Sequence, residues 1–317
     1  MRRFRHCIEF LSLALLLAAL VGLFSALNGN FWSASTFNSV ANRIPPLALT
    51  SLGMTFVLVA GSIDLSVGSV SALAGAVFGA SLTQLGLGAV ASAAAGVGAG
   101  LLCGAFNGLL VNALRMPSFI VTLGLLEIAR GLAYLVTHSQ TVYLGDRLGL
   151  LEAPVPMLGA SVAFVLALLL TLAAHLVLTR TVFGRQVIVV GTNEEAARLA
   201  GIPVPRIRAA VFLIAGGLAG LAGLCNLSHL GAADPNGGTG LELSAIAAAV
   251  IGGTSLMGGR GSMLSSLMGV LIIATLEAGL AQVGVSEPVK RVVTGLVIVG
   301  AVGAEAVRSR LAARTRS

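Results

Sequence analysis

Charge is scarce in this chain. Acidic and basic residues make up 10% of its 317 residues, against 56% hydrophobic. A soluble domain carries about 25% charged residues, so an ordinary soluble fold is excluded. Lysine occurs once, at Lys290, between Val289 and Arg291. A phosphate-binding P-loop needs Gly-Lys followed by Ser or Thr, so the chain has no P-loop of its own. Cysteine is limited to Cys7, Cys103 and Cys225, far apart and without metal-ligand spacing. They are expected to pack as small residues, and neither a metal nor a cofactor is expected. Aromatic residues that could stack on a ligand are equally few. Trp32, Tyr134 and Tyr143 stand near the ends of apolar runs, where they act as ordinary membrane anchors. Long polar stretches are missing too. The longest, 180–208, is too short to build a core.

What remains is apolar sequence. Many runs reach the roughly 18–20 residues needed to cross a bilayer. Ten segments are expected, near 8–27, 45–61, 66–84, 88–112, 117–137, 157–179, 209–229, 244–257, 262–283 and 289–305. The fold class is therefore an all-α polytopic bundle, some of its helices short or broken, in one membrane domain spanning 1–317. The N-terminal run is too long for a signal peptide and lacks a small-residue cleavage site, so it is expected to stay as the first span. An even count puts both ends on one side. On that side fall Arg2, Arg3, Arg5, Arg115, Arg180, Arg185, Arg198, Arg206, Arg208, Arg260 and the arginines from 308 onward. Arg43, Arg147, Lys290 and Arg291 fall on the other, with Arg130 inside a span. Basic residues concentrate on the cytoplasmic side of membrane proteins. The net charge of +7 is thus a topology signal, and no nucleic-acid partner is implied.

Glycine is abundant and regularly spaced. Gly96, Gly100, Gly104 and Gly108 recur every fourth residue, and Gly75 with Gly79 and Gly216 with Gly220 repeat the spacing. Small residues at that interval line one helix face and let a neighbouring backbone approach closely.

Against this background "GMTFVLVAGSIDLSVGS" (53–69) stands out, with Asp64 between Ser62 and Ser66 and bracketed by Gly61 and Gly68. Helix breaks survive in a membrane only where protein or water satisfies the freed backbone groups. Ser62 or Asp64 can cap the third span, where the helix dipole favours a carboxylate. A direct role for Asp64 in coupling or in the substrate path is the sharper alternative. The stretch "VIGGTSLMGGRGS" (250–262) has the same order of apolar run, small polar break and second apolar run, as in the internal repeats of transporters.

Other polar residues lie within apolar runs. Glu127 and Arg130, three apart, can pair on one helix face or form a polar patch on a translocation path. Glu242 stands at an outer mouth or caps the segment that follows it. Asn107 and Asn112 bond across helices or contact a solute. Glu277 has no evident partner in sequence.

The polar stretch "GTNEEAARLAGIPVPRIR" (191–208) carries Thr192 followed three residues on by Glu195, the spacing of a capping box. Gly201 suits a helix C-terminus and Pro203 stops continuation, so a short helix is expected over 194–200. A helix of that length is marginal alone in water. It needs a soluble partner, the membrane surface or its own bundle to pack on.

Within that loop "EAARLAG" (195–201) resembles the EAA-loop pattern of ABC importer membrane subunits. The stretches 53–69, "NGLLVNALRMPSFIVTLG" (107–124), 184–202 and "ELSAIAAAVIGGTSLMGGRGS" (242–262) resemble successive motifs of the ribose-type sugar permeases. The resemblance covers nearly the whole chain, in order. It implies an inner-membrane permease subunit for a monosaccharide or similar small polar solute, with a fold similar to the ten-span cobalamin-type permeases. It further implies three partners: a cytoplasmic ATPase subunit, a periplasmic solute-binding protein and a second permease chain. By the same resemblance Thr192, Glu194, Glu195, Ala196, Ala197, Arg198 and Gly201 couple to the ATPase. Asn107, Glu127, Arg130 and Glu242 are the pathway candidates. A nucleoside, an amino acid or a signalling sugar is the alternative cargo. An ion-coupled secondary transporter would leave the loop helix without a purpose, and no selectivity ring suggests a channel.

Overall fold

The computed structural model describes residues 2–145, 151, 153, 155 and 160–314. Arg147 and Arg316 lie outside the described residues, as does the start of the expected 157–179 span. The fold is all-α. Its helices are α1 (Arg2–Leu27), α2 (Ala34–Val59), α3 (Val67–Thr83), α4 (Ala89–Ala113), α5 (Ser118–Val136), α6 (Val162–Arg180), α7 (Val182–Thr192), α8 (Glu194–Leu199), α9 (Val204–Leu230), α10 (Leu241–Ile251), α11 (Met263–Gln282) and α12 (Glu287–Arg314). Two short strands, β1 (Val142–Tyr143) and β2 (Ala232–Ala233), pair antiparallel. Among the described residues six helices are long and apolar enough to cross a membrane: α1 from Phe10, α4, α5, α6, α9 and α11.

The centre of the bundle is α9, packed against α4, α2 and α3. The glycine stripe explains the closest of these contacts. A Cβ on Gly100 would overlap the Gly216 carbonyl oxygen, and one on Gly108 would stand 2.9 Å from Ala209 Cα. Gly96, at the other end of the stripe, faces α3, where a Cβ would lie 2.7 Å from the Ala74 carbonyl oxygen. Backbone meets backbone along the seam, so dispersion contacts replace side-chain packing.

Several expected boundaries move. The second span does not begin at Pro45. Ser33 caps it by accepting a hydrogen bond from the Thr36 amide at 3.2 Å, and the helix runs through Pro45 and Pro46. The missing proline N–H groups leave acceptors free one turn earlier, and the Asn42 side chain adds a cross-link by accepting from the Ser161 amide at 3.0 Å. The expected 244–257 span divides into α10, only 11 residues long, and a turn-rich stretch. At 1.5 Å per residue α10 covers roughly 16 Å, about half the hydrocarbon thickness.

The two sequence-similar breaks meet in space. The Gly259 amide donates to the Val59 carbonyl at 2.9 Å, which joins the end of α2 to the loop after α10. Gly191, near the end of α7, abuts the same Val59 carbonyl. This corner, with α7 and α8, marks the loop end of the bundle. The β1–β2 pair lies at the far end, where the chain leaves α9.

Candidate functional site

Within the break at 60–66 the polar side chains are buried, with Ser62, Asp64 and Ser66 almost inaccessible, while Gly61 is exposed. Gly61 adopts φ +74° beside Gly191, a left-handed conformation that glycine takes without strain. Helix α5 satisfies the freed backbone. Ser118 Oγ accepts from the Ile63 amide at 2.9 Å, and Thr122 Oγ1 accepts from the Leu65 amide at 3.1 Å. Sequence reading did not identify these two hydroxyls. Their spacing of four, at the start of a span, was the available signal.

Asp64 does not cap α3 in the expected manner. The residue at the cap position is Ser66, with no side-chain cap hydrogen bond. The carboxylate of Asp64 instead accepts from the Ser66 amide at 2.9 Å and from the Ser66 hydroxyl at 2.6 Å. Asn107 on α4 then donates to Ser66 Oγ at 3.1 Å. Asp64 thus fixes the residue before the helix, and Asn107 bonds across helices. Asp64→Ala would leave two buried donors unpaired, at about 1–3 kcal/mol each. We expect a clear drop in melting temperature in detergent for Asp64→Ala and a smaller one for Asp64→Asn, which keeps an acceptor. Equal melting curves for all three proteins would refute the assignment.

At about mid-height of α9, α3 and α10 start close together. A Cβ on Gly223 of α9 would overlap the Ser71 carbonyl oxygen of α3. A Cβ on Gly68 would overlap both the Gly238 carbonyl oxygen and the Glu242 carboxylate. Gly68 therefore admits the loop 234–240, which dips from the far end into the bundle. Glu242 accepts from the Gly240 amide at 3.2 Å, so it closes the start of its own helix.

Arg130 does not pair with Glu127. Its guanidinium donates to the Pro235 and Gly237 carbonyl oxygens at 2.6 and 2.9 Å, while Glu127 lies on the exposed face of α5. Tyr134 donates to Asn236 Oδ1. The dipping loop offers Arg130 two convergent acceptors, and sequence spacing could not show a loop over a hundred residues away. Asn112 donates to the Pro205 carbonyl at 2.8 Å and ties α4 to the start of α9.

At the loop end, Thr192 is not the cap of the short helix. It is the last residue of α7, and its hydroxyl donates back to the Ile188 carbonyl at 2.7 Å. Asn193 is the cap, accepting from the Ala196 amide at 2.9 Å. The helix is α8, Glu194–Leu199, and Gly201 follows it at φ +78°. Nor is α8 isolated. Ala197 is fully buried with Val187, Val190, Val204 and Val211. Glu194 accepts from Arg208 of α9 at 2.5 Å and from Arg198 at 2.8 Å. Partial burial raises the Glu194 carboxyl, but the Arg208 and Arg198 bonds outweigh it and hold the group below its usual 4.5. Glu195, Arg198 and Leu199 remain exposed, Leu199 at 82%. The result is a knob seated on the bundle with one face free.

A family model described as the permease component of branched-chain amino-acid transport systems matches residues 36–302. The chain is 36% identical over 291 residues to the ribose import permease protein of Escherichia coli K12, covering 90% of both chains. It is 38% identical over 292 residues to the ribose import permease protein of Bacillus subtilis 168, covering 89% of this chain and 88% of the other. The fructose import permease protein of Rhizobium meliloti is 32% identical over 302 residues, 92% of this chain and 83% of that one. No solved structure matches. The apolar helices, the broken segments and the match over most of the length agree: the chain is a multi-pass membrane protein and belongs to this family of transport-system permease components.

Proposed function

We propose that the chain forms the pathway by which an ATP-driven importer moves a monosaccharide across a bacterial inner membrane. The observation that carries the reading is α8, seated on the bundle by buried Ala197 and the Glu194–Arg208 bond, with Glu195, Arg198 and Leu199 facing outward. A cytoplasmic ATPase subunit docks there, against Thr192 and residues 194–201. Two permease chains enclose the pathway, in a ten-span architecture similar to the cobalamin-type permeases, with both termini cytoplasmic. A periplasmic binding protein delivers the solute at the opposite face, near the 229–240 loop. The relatives named for ribose and fructose import support a sugar as cargo.

The geometry suggests how force passes inward. Glu194 is tied to Arg208 in the second turn of α9, and the glycine seam joins α9 to α4 without flexible side chains between them. A pull on α8 therefore moves α9 and α4 as one body. Residues 61–68 supply the break against which that body shifts. Asn107 and Glu242 border the break, and Arg130 controls the loop that dips beside it.

The test is co-purification with the neighbouring ATPase and ATP-driven uptake of a panel including ribose and fructose, delivered on the cognate binding protein. Uptake without ATP, driven by an ion gradient, would refute the reading. Glu195→Lys is expected to lower uptake at least tenfold with normal amounts of folded permease in the membrane. Normal uptake by that variant would remove α8 as the docking element.

A further inference from the structure

Among the described residues, α2, α9, α10, α11 and α12 line an open cavity of about 570 Å³ at the far end of the bundle. Small-molecule sites span roughly 300–1,000 Å³. Its lining differs from the apolar faces around it. Arg43 enters from α2, Asn226 from α9, Ser244 from α10, Glu277 from α11 and Lys290 from α12, and Thr239 of the dipping loop completes the wall. Ionisable groups within a bundle are costly unless they face water or each other. Here five separate helices each turn a polar group toward one space. The charges of Arg43, Glu287 and Lys290 all act on Glu277, whose side chain is open to the cavity. The acid with no evident partner in sequence thus faces this space. None of the four pathway candidates read from the sequence lines this space.

We propose that this cavity is a passage site for a neutral solute rich in hydroxyl groups. The inference rests on the importer reading above and locates the cargo within it. Arg43, Lys290 and Arg291 share the walls with Glu277 and Glu287, so acids and bases stand together and the fixed charges nearly offset. A polyol meets both, since each hydroxyl donates to one group and accepts from another. No Phe, Tyr or Trp is among the lining residues, so the site holds its guest chiefly by hydrogen bonds. Passage requires binding favourable enough to enter and weak enough to leave. The inner limit of the cavity is the dipping loop, whose Gly238 lines the cavity and also touches Gly68 at the start of α3. Solute resting there lies directly above the junction of the two broken helices.

The test uses the assembled importer in proteoliposomes, with Ser244→Cys and, separately, Asn226→Cys. Each is treated with a small hydrophilic methanethiosulfonate reagent, and ATP-driven uptake is measured with the sugar the wild-type importer accepts. Modification after assembly avoids folding effects. Both cysteines are expected to react and uptake to fall at least tenfold, while the wild-type chain, treated identically, keeps its rate. Full uptake after complete modification, or cysteines that stay unreactive in the assembled importer, would overturn the proposal. Absence of ATP-driven sugar uptake by the untreated wild type would instead overturn the importer reading.

Discussion

Leucine in place of Gly104 is expected to eliminate folded protein from the membrane, whereas leucine at Gly98 on the same helix is expected to leave the yield unchanged. A Cβ on Gly104 would overlap the Phe212 carbonyl oxygen and lie 3.0 Å from Leu213 Cα. Nothing lies within 4 Å of a Cβ on Gly98. Overpacking a core costs about 1–3 kcal/mol where neighbouring side chains can yield, occasionally more. At Gly104 the neighbour is backbone, so α4 and α9 must separate. Separation also loosens the reciprocal contacts of Gly100 with Gly216. A net stability of about 5–15 kcal/mol leaves little margin for that loss, because α9 is also the element on which α2 and α3 pack. Monodisperse yield in detergent and melting temperature measure the effect. Equal behaviour of the two leucine variants would show that the seam does not hold the bundle.

The seam was legible because its cause is local. Four glycines at one spacing define a face wherever the partner helix lies, and the structure puts α9 there. The break at 60–66 was legible for a similar reason, since Gly, Ser and Asp cannot continue a helix cheaply. What escaped depended on contacts distant in sequence. Both Thr192 and Asn193 are good caps. The choice fell to Asn193 because α7 continues through Gly191, which fits against the Val59 carbonyl as a larger residue could not. Arg130 has a neighbour of opposite charge three positions away, yet the Pro235 and Gly237 carbonyls capture it. Ser118 and Thr122 read as ordinary polar residues at a helix start until the break lies beside them. The polar cavity draws on five helices, and no local pattern announces such convergence. Glu277 was a visible anomaly without a place.

The second large effect is expected at the ion pair that seats α8. Arg208→Glu and Glu194→Arg should each reduce ATP-driven uptake more than tenfold, and the double reversal should recover a substantial part of it. The Arg208 side chain is 17% exposed, against 40% for Glu194. Its Nε is buried without a hydrogen-bond partner. Loss of the carboxylate therefore leaves a guanidinium largely out of water, and hydrogen bonds to charged groups contribute about 1.5–3 kcal/mol. The neighbouring Glu194–Arg198 pair is more exposed, at 40% and 59%, and contributes roughly 0.3–0.5 kcal/mol. A tenfold change corresponds to about 1.4 kcal/mol, so the Arg208 bond alone is large enough for the expected loss. Six-residue α8 cannot hold itself in water, so Ala197 would be left as its main anchor. The pH dependence follows from the lowered carboxyl. Glu194 is charged in the folded state below its ordinary 4.5, so its contribution is complete above that value and disappears as pH falls through the lower folded value. Coupling should therefore stay constant from pH 8 down to 5 as far as this pair is concerned. In Glu194→Gln the acid-side loss from this pair should vanish, leaving the uptake defect at every pH. Recovery in the double reversal distinguishes a specific seat from general damage to the loop. Failure of the double reversal, alongside full uptake by either single variant, would show that α8 transmits nothing through Arg208.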